Sequence, residues 1–215
     1  MSTLEAKAGM NDTTGRSTPR PAWSLWSGIG IATGGALLLI ATLLEIPLLD
    51  DPNSGVLGLF AVTFLASTII HAAAMVPLTG GATGDAGAVG RSLLGRFALL
   101  GFGGLFLTSQ IVYFVVVYAM PAVDDYSGVL SLTTGLGLAQ LVLLLVGSLV
   151  IVRAGVATGS ARWALLALTV VAIVTGVVGN ATDSTEVATS AHLVSTVTQI
   201  VVGIVFIAYT PRHHR

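Results

Sequence analysis

Few side chains in this 215-residue chain can do chemistry, and those that can lie within or beside long apolar runs. Glu45 and His192 form the most suggestive ionisable pair. Each falls near the same end of its run, so a carboxylate facing an imidazole there could relay protons or bind a cation. The plainer reading is that Glu45 reaches the headgroup region, only a few residues from Asp50. His71 is expected toward the opposite leaflet, well below His192. Two axial haem ligands must share one level, so these histidines do not predict a bis-imidazole site. Glu45, His192 and His71 are therefore the candidate polar or proton-relay residues.

Gln110, Gln140 and Gln199 are expected near one level, about half-way along their runs, as a candidate midplane polar cluster. Three amides at one depth could surround a small polar substrate. They could equally bond to one another and hold helices together at about 0.6–2 kcal/mol per contact, which is the simpler reading. His192, Ser195, Thr196, Gln199 and Gly203 follow three- and four-residue steps and share one helical face. Thr63, Ser67 and His71 repeat at four-residue spacing, and Thr133, Gly137, Gln140 and Ser148 or its neighbour Gly147 do much the same. Such faces should point into a bundle, because hydrocarbon leaves exposed polar groups unsatisfied.

No H-E-x-x-H, nucleophile elbow or carboxylate-rich helix pair is present. The chain has no Cys, which excludes disulfides, thiolate metal sites and thiol catalysis. His213-His214 reads as a basic tail, and Asn180-Ala181-Thr182 matches a glycosylation triplet of little weight. No catalytic residue, metal site or cofactor is expected.

The elements that carry these residues are apolar runs at 24–47, 55–78, 97–120, 128–152, 163–181 and 187–209. Each is close to the roughly 20 residues a helix needs to cross about 30 Å of hydrocarbon. The predicted fold is all-α: a polytopic integral membrane bundle of six transmembrane helices. All nine Lys and Arg lie on one side of this ladder, at Lys7, Arg16, Arg20, Arg91, Arg96, Arg153, Arg162, Arg212 and Arg215. The three remaining loops hold Asp50, Asp51, Asp124, Asp125, Asp183 and Glu186. Cytoplasmic loops concentrate Lys and Arg, so both the N-terminus and the C-terminus are expected in the cytoplasm.

With 54% apolar and 9% charged residues, the composition is far from the quarter charged that is usual in soluble domains. No basic patch with interleaved aromatics occurs, so nucleic acid is not an expected partner. Eight Arg against one Lys, with abundant Ala, Gly and Val, point to a GC-rich bacterial genome and hence to a bacterial inner membrane. The first run is too long and too late for a cleaved signal peptide. Residues 1–22 lack apolar periodicity and are expected to be a disordered cytoplasmic tail, with 23–210 as the membrane domain and 211–215 as a short basic tail.

Trp23 and Trp26, with Trp163 and Tyr209, suit the cytoplasmic interface, where an indole or phenol keeps its polar edge wet. Tyr118 and Tyr126 mark the outer level, and Pro47 and Pro121 are expected to close their spans there. The longest cytoplasmic loop, TGGATGDAGAVG, reads as a flexible connector. Gly30 and Gly34 at GxxxG spacing, Gly101, Gly103 and Gly104, Gly135 and Gly137, and Gly176 and Gly179 are expected at close helix–helix contacts. Thr33-Gly34 and Thr134-Gly135, with Gln110-Ile111-Val112 and Gln199-Ile200-Val201, faintly echo one another, as two inverted halves would.

Midplane amides and the Glu45–His192 pair favour a small permease or transport component with a polar site inside the bundle, its small-molecule substrate unspecified. The alternative is a non-catalytic membrane-embedded subunit that anchors a larger complex, through another membrane protein or a second copy of itself. A membrane enzyme acting on lipid or quinone ranks third, with His71, Glu45 or His192 as acid–base groups.

Overall fold

The computed structural model describes residues 20–51, 55–81, 86–120 and 127–211. The expected N-terminal tail before residue 20, residues 52–54, the middle of the glycine-rich connector, the segment from Pro121 to Tyr126 and the residues from Arg212 to Arg215 lie outside them.

The described residues form helices and no strand: α1 (Ala22–Asp50), α2 (Leu57–Gly80), α3 (Leu93–Phe114), α4 (Ser127–Ala154), α5 (Ser160–Asn180) and α6 (Thr185–Ile207). A π turn, Val115–Ala119, extends α3. All six are long and apolar enough to cross a membrane. They start and stop where local chemistry requires. Ser92 and Ser184 cap α3 and α6 by accepting the backbone N–H groups of Gly95 and Val187. At the end of α4, Arg162 Nε donates to the Val152 carbonyl at 2.8 Å, supplying a donor that the helix terminus lacks. Gly155 and Gly159 turn the chain between α4 and α5 at φ of 67° and 61°, in the left-handed region.

Several boundaries differ from the sequence expectation by a few residues, two of them for a clear local reason. The helix α1 runs through Pro47 to Asp50. A proline removes one backbone donor, and in an apolar helix packed by neighbours that loss is tolerated. The helix α3 begins at Leu93, ahead of Arg96, because Ser92 is its cap.

Each helix packs against its neighbours in sequence, and α6 packs back against α1, so the six close into a ring. This antiparallel order gathers Arg20, Arg91, Arg96, Arg153 and Arg162 at one end and Asp51, Asp183 and Glu186 at the other. The ring is solid at the arginine end. Trp23, Leu78, Leu99, Ile151, Leu165 and Phe206, one from each helix, are all buried in a single core there. Trp23 is 3% exposed and packs on Phe206 and Tyr209, with ring centroids 6.1 and 5.7 Å away. It is thus a core residue and not an interfacial marker, a role that the 59% exposed Trp26 fits. Tyr209 is likewise buried, and its hydroxyl donates to the Val156 carbonyl at 3.2 Å.

Closure between α1 and its neighbours depends on glycine. A Cβ at Gly30 would stand 2.7 Å from Ala74 Cβ, and one at Gly28 2.7 Å from the Gly203 carbonyl oxygen. In a bilayer such close approach replaces the hydrophobic drive that water would supply. At the acidic end, Leu38, Ala41, Leu48, Phe60 and Phe64 of α1 and α2 form a second core. Across from it, no residue of 131–143 in α4 or 170–180 in α5 is buried. The ring is therefore hollow toward that end.

Candidate functional site

The hollow is a cavity of about 820 Å³ to which all six helices contribute. Its floor lies on the arginine-end core, at Met75, Leu144, Leu165 and Leu168, and its far rim reaches Asn180 and Ala181 at the acidic end of α5. The wall is mainly apolar, with polar groups set into it at a few points, which is the usual make-up of a small-molecule site.

Five of the six candidate residues line this one space: His71, His192, Gln110, Gln140 and Gln199. The stripe on α6 divides. His192, Ser195 and Gln199 face the cavity, whereas Thr196 is fully buried and Gly203 lies against Ala32 of α1. On α4, Thr133, Gly137 and Gln140 line the wall, while Ser148 is buried lower down, 3.4 Å from the Thr169 hydroxyl of α5. The amide oxygen of Gln140 accepts the Ser109 hydroxyl of α3 at 3.1 Å.

His71 sits closer to mid-depth than its sequence position implies. It packs where α1 has Gly34, near the middle of that helix; a Cβ on Gly34 would stand 2.6 Å from His71 Nδ1. A Cβ on the next residue, Gly35, would stand 2.9 Å from Ile200 and 3.3 Å from Gln199 Cβ, so His71 and Gln199 lie near one level. His71 Nδ1 lies 3.1 Å from the Ser67 carbonyl oxygen, and the Ser67 hydroxyl donates to the Gly34 carbonyl at 2.7 Å. A carbonyl can only accept, so Nδ1 carries the proton and the Nε2 of the neutral ring presents a lone pair.

Glu45 stands apart from the cavity wall. Its Oε1 accepts two hydroxyls, from Tyr113 and Tyr118, each at 2.6 Å. Tyr118 also packs on Phe60 at 4.9 Å, and Tyr113 on Phe64 at 6.0 Å. His192 lies within electrostatic reach of the Glu45 carboxylate. The pair expected from sequence is thus near in space, but two tyrosines are the carboxylate's close partners. Neither follows from helical periodicity, because residues five apart diverge on an α-helix. The π turn realigns them. Tyr118, half-buried at the acidic end of α3, thus turns its hydroxyl to Glu45.

The glycines fall into two groups. Gly30, Gly34, Gly101 and Gly103 sit at close contacts, as expected. Gly104, Gly135, Gly137, Gly176 and Gly179 have nothing within 4 Å of a Cβ position, so they do not serve packing. Gly137 and Gly176 line the cavity, where the missing side chains leave space. Among the described residues, no three His, Asp or Glu side chains converge as a metal site would require.

The architecture is that of a multi-pass six-helix bundle with an internal amphipathic cavity. Comparison with family models, curated proteins and solved structures finds no match to this chain.

Proposed function

We propose that this protein is a small permease or transport component that takes an amphipathic solute into the space between its six helices. The observation that carries this reading is the asymmetry of the ring: plugged by one large side chain from each helix at the arginine end, hollow toward the acidic end. With cations held in the cytoplasm, the N- and C-termini are inside and the hollow half faces out. A site reached from one face and sealed from the other is one state of an alternating-access cycle. The distribution of charge and the arginine-rich composition support a bacterial inner membrane as its location.

Reconstitution into liposomes tests the proposal. Uptake of amphipathic solutes above that of protein-free vesicles is the expected result. Uptake equal to empty vesicles across a panel spanning alcohols, phenols, amines and short-chain acids would overturn it.

A further inference from the structure

Two buried acceptors in the cavity wall lack partners. His71 is 7% exposed, and neither its Nε2 nor the Oε1 of Gln199 makes a hydrogen bond of good geometry, although the two side chains lie within reach of one another. With Nδ1 donating to the Ser67 carbonyl, both free positions are acceptors. With the proton on Nδ1 and the Gln199 amide turned oxygen-first, the two are adjacent acceptors that cannot satisfy each other, and a buried acceptor without a donor is costly. They call for one donor between them. Beside them stand Phe106, whose ring meets His71 edge-on at 5.7 Å, and Phe102, stacked on Phe106 at 5.8 Å. Among the described residues, no Asp, Glu, Lys or Arg lines the cavity, so an ionic ligand would be buried there without a counter-charge.

We propose that the cavity binds a neutral phenol-type amphiphile, its hydroxyl donating to His71 Nε2 and Gln199 Oε1, its ring against Phe102 and Phe106, and its apolar tail along the remaining wall. The volume of about 820 Å³ accommodates a ring with a chain of several carbons. The inference rests on the carrier reading for its biological sense, but it concerns binding and is tested as binding.

The probes are 4-hexylphenol and its methyl ether, 4-hexylanisole, which differ in one hydrogen-bond donor. Affinities are measured by calorimetry on the purified full chain in detergent. The phenol is expected to bind at least roughly tenfold more tightly, because the ether leaves both acceptors unpaired. In Gln199→Leu and in His71→Phe that advantage should shrink several-fold while anisole binding persists, with thermal unfolding showing that each variant is folded. The Gln199 variant keeps the test open if the His71 variant fails to fold. Equal affinities in the native protein would overturn the proposal, as they would follow if the Gln199 amide turned its NH₂ to His71 and the pair satisfied itself. A phenol preference that survives both substitutions would overturn it too. Discrimination without flux would sustain this inference and remove the carrier reading; flux without discrimination would do the reverse.

Discussion

Tyr118 donates to Glu45 at 2.6 Å because the helix that carries it widens into a π turn over Val115–Ala119. Tyr113 reaches the same carboxylate oxygen from the preceding α-helical turn. The hydrogen bond from Met120 N to the Val115 carbonyl, at 2.9 Å, marks the five-residue spacing that brings both hydroxyls to one side. One carboxylate therefore ties the end of α3 to α1 across the aromatic core shared with Phe60 and Phe64. A widened turn costs helix regularity, and two charge-assisted hydrogen bonds offset that cost.

Removing the charge should loosen this tie. Glu45→Gln is expected to lower stability by about 1–3 kcal/mol, and Tyr118→Phe by about 1 kcal/mol. The two changes act on one contact, so the double variant should lose less than the sum. Thermal or denaturant unfolding in detergent checks this. A coupling below about 0.3 kcal/mol would mean that the contact contributes nothing to stability.

The six helices and the sorting of cations to one end were legible in sequence, since hydropathy and span length act over some 20 residues and tolerate local error. The convergence of His71, His192, Gln110, Gln140 and Gln199 was partly legible, because polar residues in apolar helices turn inward. What surrounds each residue was not. Trp23 reads as interfacial by type and position, yet the gap between Phe206 and Tyr209 buries it. That Tyr118 turns its hydroxyl to Glu45 was not legible either, because a π turn leaves no mark in α-periodicity. Gly30 and Gly137 look alike in sequence. One is pressed against Ala74 and the other opens a cavity, and that difference arises from which helices meet.

The two roles of glycine yield a paired prediction. Gly34→Ala places a methyl group where the His71 ring lies, 2.6 Å from Nδ1, so α1 and α2 must part or the ring must move. Overpacking of this kind is expected to destabilise by about 1–3 kcal/mol. Gly104→Ala meets nothing within 4 Å and should be neutral or stabilising by up to about 1 kcal/mol, through helix propensity alone. Melting temperatures of the two variants compare the effects directly. Equal shifts would show that the close approach at Gly34 is not what holds the pair of helices.

Orientation can be tested cleanly because the chain contains no Cys. Ser160, at the arginine end of α5, and Asp183, beyond its acidic end, are both exposed. A membrane-impermeant maleimide added to intact cells should label Asp183→Cys at once. Ser160→Cys should react only after permeabilisation. The opposite pattern would invert the topology and turn the hollow half toward the cytoplasm.

Gly137 and Gly176 provide the most direct test of the cavity, because they line it from α4 and α5 and touch nothing at their Cβ positions. A leucine at either site projects into empty space, so folding need not suffer. The gain in helix propensity, up to about 1 kcal/mol, favours the variants if anything. Their melting temperatures should match or exceed that of the native chain, while solute uptake falls by roughly an order of magnitude as the space is filled. Stability and transport are thus expected to move in opposite directions. Gly104→Leu, on a site outside the cavity, is the control that should leave uptake intact. Well-folded Gly137→Leu and Gly176→Leu proteins that transport at the native rate would show that solute does not pass through this space.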